Sequence, residues 1–150
     1  MNRNEFEALR NLPDKLIKGD IRFGKSKQTS PSVIAEMTIE TSGGQDLKMQ
    51  LRYNGDTASK TINVTAVGIG PICRLDVDGT EHPPAGRNHK HSVQTERCPD
   101  RNLPDNVTPR ADLAGMSFRH VFGDFCLKAG ITHEGISSRL TKRMGHEPAR

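Results

Sequence analysis

Residues 47–53, LKMQLRY, alternate without a break: Leu47, Met49, Leu51 and Tyr53 are apolar, while Lys48, Gln50 and Arg52 are polar. Successive side chains of a strand point to opposite faces, so this pattern fits a strand with one dry face and one wet face, and fits no helix. A lone strand is not stable in water and needs neighbours. The sequence supplies them. Val33, Ala35, Met37 and Ile39 recur at the same period before it, and Thr61–Ile69 and Ile72–Val77 read as strands after it, bent or broken at "GIGP" (68–71). "SGG" (42–44) and "NGD" (54–56) are turn sequences between these runs. Connections this short join antiparallel neighbours, so the middle of the chain is predicted to be a meander with one face in water. Ile21–Gly24 and His89–Thr95 read as two further, brief strands.

Helical period appears at the two ends. Phe6, Leu9, Leu12 and Leu16 recur at helical spacing, with Asn4 and Glu7 placed as a capping box. Pro13 interrupts the pattern, so two short helical pieces are expected, ended by Gly19. "SFRHVFGDFCLKAG" (117–130) carries the stronger signal. Ser117 can cap it, Gly130 can close it, and Phe118, Val121, Phe122, Phe125 and Cys126 form one apolar face. This helix is expected to lie across the sheet as the main donor of core. The fold class is therefore α+β: an N-terminal helix, an antiparallel meander, and a C-terminal helix packed across the sheet. One domain is expected over residues 1–133. The stretch "CPDRNLPDNVTPRADL" (98–113) reads as loop, and residues 134–150 as a basic tail with little to bury.

Composition narrows the partners. Apolar residues make up only 33% of the chain and Trp is absent, so the core must be modest. No apolar run approaches the roughly 18 residues of a membrane span, and the charged N-terminus lacks a signal core, so a cytoplasmic location with no membrane partner is expected. Three widely spaced cysteines without a C-x-x-C pair suggest neither a disulfide framework nor a zinc ribbon. A formal charge of +4 is compatible with nucleic acid without requiring it.

The chemistry concentrates between Arg74 and His91. Asp76-Val77-Asp78-Gly79-Thr80 after an apolar strand resembles the nucleophile motif of haloacid-dehalogenase-type phosphatases. That reading is set aside, because Pro83-Pro84 blocks the helix that should follow and too little chain remains for a doubly wound sheet. His89-Lys90-His91 with Glu96 resembles the metal motif of cupins. Histidines at i and i+2 of a strand share a face about 6.5–7 Å apart and can grip one metal. The strands and the second motif a cupin needs are missing, which leaves a plain site from His82, His89 and His91, perhaps with Asp76, as the metal alternative. The third reading needs no metal and no cofactor. Histidine titrates near neutrality and can serve as base or acid when the 2′-hydroxyl of RNA attacks its own phosphodiester. Arg74, Arg87 and Lys90 would bind the phosphate. Arg74 and Asp76 share a face by parity.

Arg74-Leu75-Asp76, "GTEHPP" with His82, and "RNHKH" with His89 and His91 resemble the signature region of TumE-type toxins of bacterial toxin–antitoxin pairs, over about residues 72–93. The resemblance implies kinship with RelE- and barnase-like ribonuclease toxins, in which an N-terminal helix packs on an antiparallel sheet. The 95–110 loop and the basic tail have no counterpart in that pattern. The first expectation is thus a small metal-independent endoribonuclease, with RNA as substrate and an antitoxin as protein partner. His89 and His91 would be its acid/base pair, His82 auxiliary, and Asp76 an orienting group. The alternative is a non-enzymatic phage or mobile-element inhibitor that binds a host nucleic-acid enzyme. A His-metal hydrolase is a further alternative.

Overall fold

Period-two alternation becomes a seven-stranded sheet in the computed structural model, which describes residues 3–25, 31–79, 86–92 and 107–135. In chain order the elements are α1 (Arg3–Arg10), β1 (Lys15–Lys18), β2 (Gly24–Lys25), β3 (Ser32–Ile39), β4 (Leu47–Asn54), β5 (Lys60–Ala66), β6 (Gly70–Val77), β7 (His89–Ser92), β8 (Val107–Pro109), a 3-10 turn (Ala111–Leu113), α2 (Phe118–Ala129) and β9 (Ile131–Glu134). The sheet runs β2-β3-β4-β5-β6-β7-β8, each strand antiparallel to the next. This is the expected meander within an α+β fold. Among the described residues, no helix is long and apolar enough to cross a membrane.

Register explains which face is dry. Met49 lies opposite Met37 and Val64, and Leu51 opposite Ala35 and Ile62; Ile62 in turn faces Leu75. Apolar positions thus stack row by row on one face, with Met49, Leu51 and Ile62 fully buried. The other face takes the partners of opposite parity: Lys48, Gln50 and Arg52 on β4, Thr61, Asn63 and Thr65 on β5, Arg74 and Asp76 on β6. One irregularity, between Val64 and Thr65, falls beside Pro71, which has no N–H to give the ladder.

α2 covers the dry face. The Ser117 hydroxyl accepts the His120 N–H at 3.1 Å, and Gly130 closes the helix at φ 68°, a left-handed conformation that costs glycine little. The apolar face read from the sequence is the buried one: Phe118, Val121, Phe122, Phe125 and Cys126. Phe118 meets Phe23 and Tyr53 edge-on, with ring centres 5.5 and 6.0 Å apart. Burial pushes the Cys126 thiol up to about 12, so it packs as an inert core residue.

Three expectations are corrected. The first helix includes Asn4 and ends at Arg10, so Asn4 is not its cap. Past Pro13 the chain turns into strand β1, not a second helical piece; Leu16 only imitated the helical period. Ile17 of β1 is fully buried. Its partner is β9, a parallel strand the sequence reading missed, and Leu16 also bridges Glu40. Within the stretch taken as loop, Val107–Pro109 forms strand β8 at the sheet edge, where a proline is tolerated, followed by the 3-10 turn. His133, expected in solvent, packs edge-on against Phe122 at 5.6 Å, and its Nε2 lies 2.9 Å from the Gly19 carbonyl. Residues 136–150, most of the basic tail, lie outside the described residues.

Candidate functional site

β6 leaves Arg74 and Asp76 side by side on the wet face, two positions apart on one strand. The guanidinium grips the carboxylate: Nε donates to Oδ1 at 3.1 Å and to Oδ2 at 3.0 Å, and Nη2 donates to Oδ1 at 3.0 Å. Pairing across the sheet completes the cluster. Thr61, opposite Asp76 on β5, donates its hydroxyl to Oδ1 at 3.0 Å. His89, opposite Asp76 on β7, brings Nε2 to 3.5 Å from Oδ2. Its Nδ1 lies 2.9 Å from the Gly86 carbonyl. The two groups facing the ring are both acceptors, so only the doubly protonated imidazole donates to each.

Exposure grades sharply across this row. His89 is 3% exposed, whereas the side chain of Arg74 is 49% exposed. A carboxylate that sits this deep needs donors, and Asp76 has them from three residues. The consequence falls on Arg74. A free arginine loses much rotamer freedom on binding an anion; here one edge of the guanidinium is already fixed while the side chain remains open to solvent.

Beyond the row, the strand ends in a tied loop. Asp78 takes the left-handed conformation at φ 55°, which Asp tolerates better than most residues. Its carboxylate accepts the Lys60 ammonium at 3.0 Å and the Gly115 N–H at 3.1 Å, and its own N–H donates to the Asn88 side chain at 2.8 Å. Asp78 therefore joins β5, β6 and the approach to α2. Arg87 donates to the Gly79 carbonyl at 2.8 Å and to the Asp78 carbonyl at 3.4 Å.

The expected residues divide accordingly. Arg74, Asp76 and His89 come together. His91 occupies the register position opposite Arg74, but its side chain lies outside what is described. His82 lies outside the described residues altogether. Arg87 stands at the loop base and clasps backbone. Lys90 does not join the cluster: it pairs with Leu75, so alternation puts it on the core side of β7, where it lines a cavity. For a metal, His89 is the one member of the His82, His89 and His91 trio whose side chain is described. Among the described residues, no group of three or more His, Cys, Asp and Glu is disposed to hold one.

Thr61 was not found from the sequence, since only register places it against Asp76. Asn63, opposite Arg74, was missed as well; its Oδ1 is buried without a hydrogen-bond partner among the described residues. A second ionic cluster also escaped notice. Arg110 donates to Asp112 at 3.0 and 2.9 Å and to Asp124 at 2.7 Å, and Lys128 lies 3.4 Å from Asp124. The Arg110 hydrogen bond holds the Asp112 carboxyl below its ordinary value. For Asp124, burial pushes the other way, but the Arg110 hydrogen bond and the Arg110 and Lys128 charges outweigh it. Only the i,i+4 spacing of Asp124 and Lys128 was a sequence signal for it.

Comparison with protein-family models, with curated proteins and with solved structures found no match to this chain.

Proposed function

We propose that the chain is a small, toxin-like endoribonuclease that acts without a metal, and that Arg74 is its main phosphate contact. The observation that carries this reading is the Arg74–Asp76 pair, anchored by Thr61 and the buried His89 yet open to solvent on its arginine side. A guanidinium fixed along one edge is suited to take a phosphodiester oxygen along another. Kinship with the TumE-type toxins, and a RelE- or barnase-like arrangement of helix and sheet, belong to the same proposal.

The roles differ from those first expected. His89 is enclosed between the Gly86 carbonyl and Asp76, which suits a positioning residue rather than one that exchanges protons with substrate. His91, at the register position opposite Arg74, is the group proposed to move protons, with His82 as its partner. The base takes the 2′-hydroxyl proton as that oxygen attacks phosphorus. The bond to the 5′-oxygen breaks, and the acid returns a proton to it, leaving a 2′,3′-cyclic phosphate and a 5′-hydroxyl. Arg74 would stabilise the charge that builds on the phosphorane.

One experiment tests the reading. Wild type, Arg74→Gln and His91→Ala are incubated with a labelled single-stranded RNA and its 2′-deoxy analogue, with and without EDTA. The expected result is cleavage of RNA alone, insensitive to EDTA, reduced by about 100-fold or more in either variant. Cleavage of the deoxy strand, or loss of activity under EDTA, would count against the mechanism.

The enclosure of His89 also favours a second reading, since a buried imidazole held by two acceptors is what a purely structural network would contain. In that case the chain is a non-enzymatic inhibitor of a host nucleic-acid enzyme, and the wet face is its docking surface. RNA left intact by the wild type, with saturable binding to a polymerase or nuclease weakened by Arg74→Gln, is the outcome that would select it.

A further inference from the structure

The side of the sheet away from Arg74 holds a cavity of about 70 Å3 between the strands and α2. Its apolar walls include Leu47, Ile72, Leu75 and Phe125. Four cations also line it, Lys15, Lys90, Arg110 and Lys128, and no acidic residue does. The cations lie at graded depth. The Lys128 side chain is 55% exposed and that of Arg110 13%, while Lys15 is 5% exposed. Positive charge therefore leads from solvent toward an apolar interior. Asp112 and Asp124, which pair with Arg110, stand outside the lining.

We propose that this cavity is a binding site for a short aliphatic carboxylate, distinct from the Arg74 site and independent of the ribonuclease reading. The volume sets the size of the tail. It falls between the roughly 10–15 Å3 that one water needs and the ~150 Å3 of a cavity that holds benzene, which suits a chain of about three to five carbons. The lining sets the sign of the head: an anion gains from four converging cations in a low-dielectric pocket, and a neutral or cationic head does not. Carboxylate is favoured over phosphate because Arg110 already takes two carboxylates in this setting, at 2.7 to 3.0 Å. A small carboxylate can share that cluster, while a phosphate dianion asks for more donors as it sheds its water.

The test uses the full chain and needs no knowledge of the natural ligand. Thermal unfolding and calorimetric titration are run with butyrate and pentanoate, with the matching amides, and with inorganic phosphate. The expected result is a saturable rise in Tm with pentanoate larger than with butyrate, and none with pentanamide. In Lys90→Met, which keeps the length of the side chain and removes its charge, affinity for pentanoate should fall by about tenfold. Equal shifts from acid and amide, a shift reproduced by phosphate alone, or no saturable binding by any carboxylate would overturn the proposal. The acid–amide contrast is read on the wild type, so it stands even if the Lys90 variant does not fold.

Discussion

One strand, β6, shows two different uses of the same backbone. Toward α2 it presents Leu75 and Val77, both buried by aliphatic neighbours. On the opposite face it presents Arg74 and Asp76, held by a chain of donors and acceptors that runs from Thr61 to Gly86. The dry face gains stability from area removed from water, and any apolar group of the right volume serves. The wet face has no such driving force. Its groups would be well hydrated if left alone, so a tight pairing there contributes little net stability and a great deal of geometric definition. The difference teaches where to look for function: order that the fold does not need.

Predictions follow from removing one support at a time. The largest effect is expected on the dry face. Phe118→Ala deletes the ring that Phe23 and Tyr53 meet edge-on and should cost about 3–5 kcal/mol by urea unfolding. Asp76→Asn comes next. It keeps the shape but removes the charge that Arg74 grips and His89 faces, and a loss of about 1–3 kcal/mol is expected. Should Asp76→Asn exceed Phe118→Ala, the wet-face network would be holding the fold, and the contrast between the faces would fail.

The smallest effect is at the Arg110 cluster. The Asp124 carboxyl is held below its ordinary value of 3.8, so its contribution is present in full above that pH and is lost as pH falls through the depressed folded value. Wild type should therefore exceed Asp124→Asn by about 1 kcal/mol at pH 7, and the gap should close on acidification below about pH 4. A gap that stays constant down to pH 2 would show that the Asp124 charge plays no part. Asp112, being more exposed, should give a weaker version of the same curve.

Legibility followed length and locality. β3 to β6 were readable because each carries seven or eight residues, joined to its neighbour by a short turn. α2 was readable because cap, apolar face and closing glycine all agree. β1, β8 and β9 have three or four residues each, too few for a period to register. β1 and β9 also pair across more than a hundred residues of chain, which no local pattern can announce. At the candidate site, parity alone placed Arg74 beside Asp76. The same parity, taken with the register of β7, carries Lys90 away from them.

By itself, then, the sequence determined the period of each long element, the face each residue of a strand would take, and the presence of a polar, histidine-rich stretch after β6. These are local properties, set by the pleat of the strand and the pitch of the helix. Only the tertiary structure decided that Thr61 and His89 close on Asp76 from two neighbouring strands, that His89 is sealed while Arg74 is open, and that four cations from separate elements converge on one apolar cavity. Each of those facts depends on register between strands or on docking of a helix against them, and such pairings are fixed by the sum of the whole core rather than by any stretch of residues read alone.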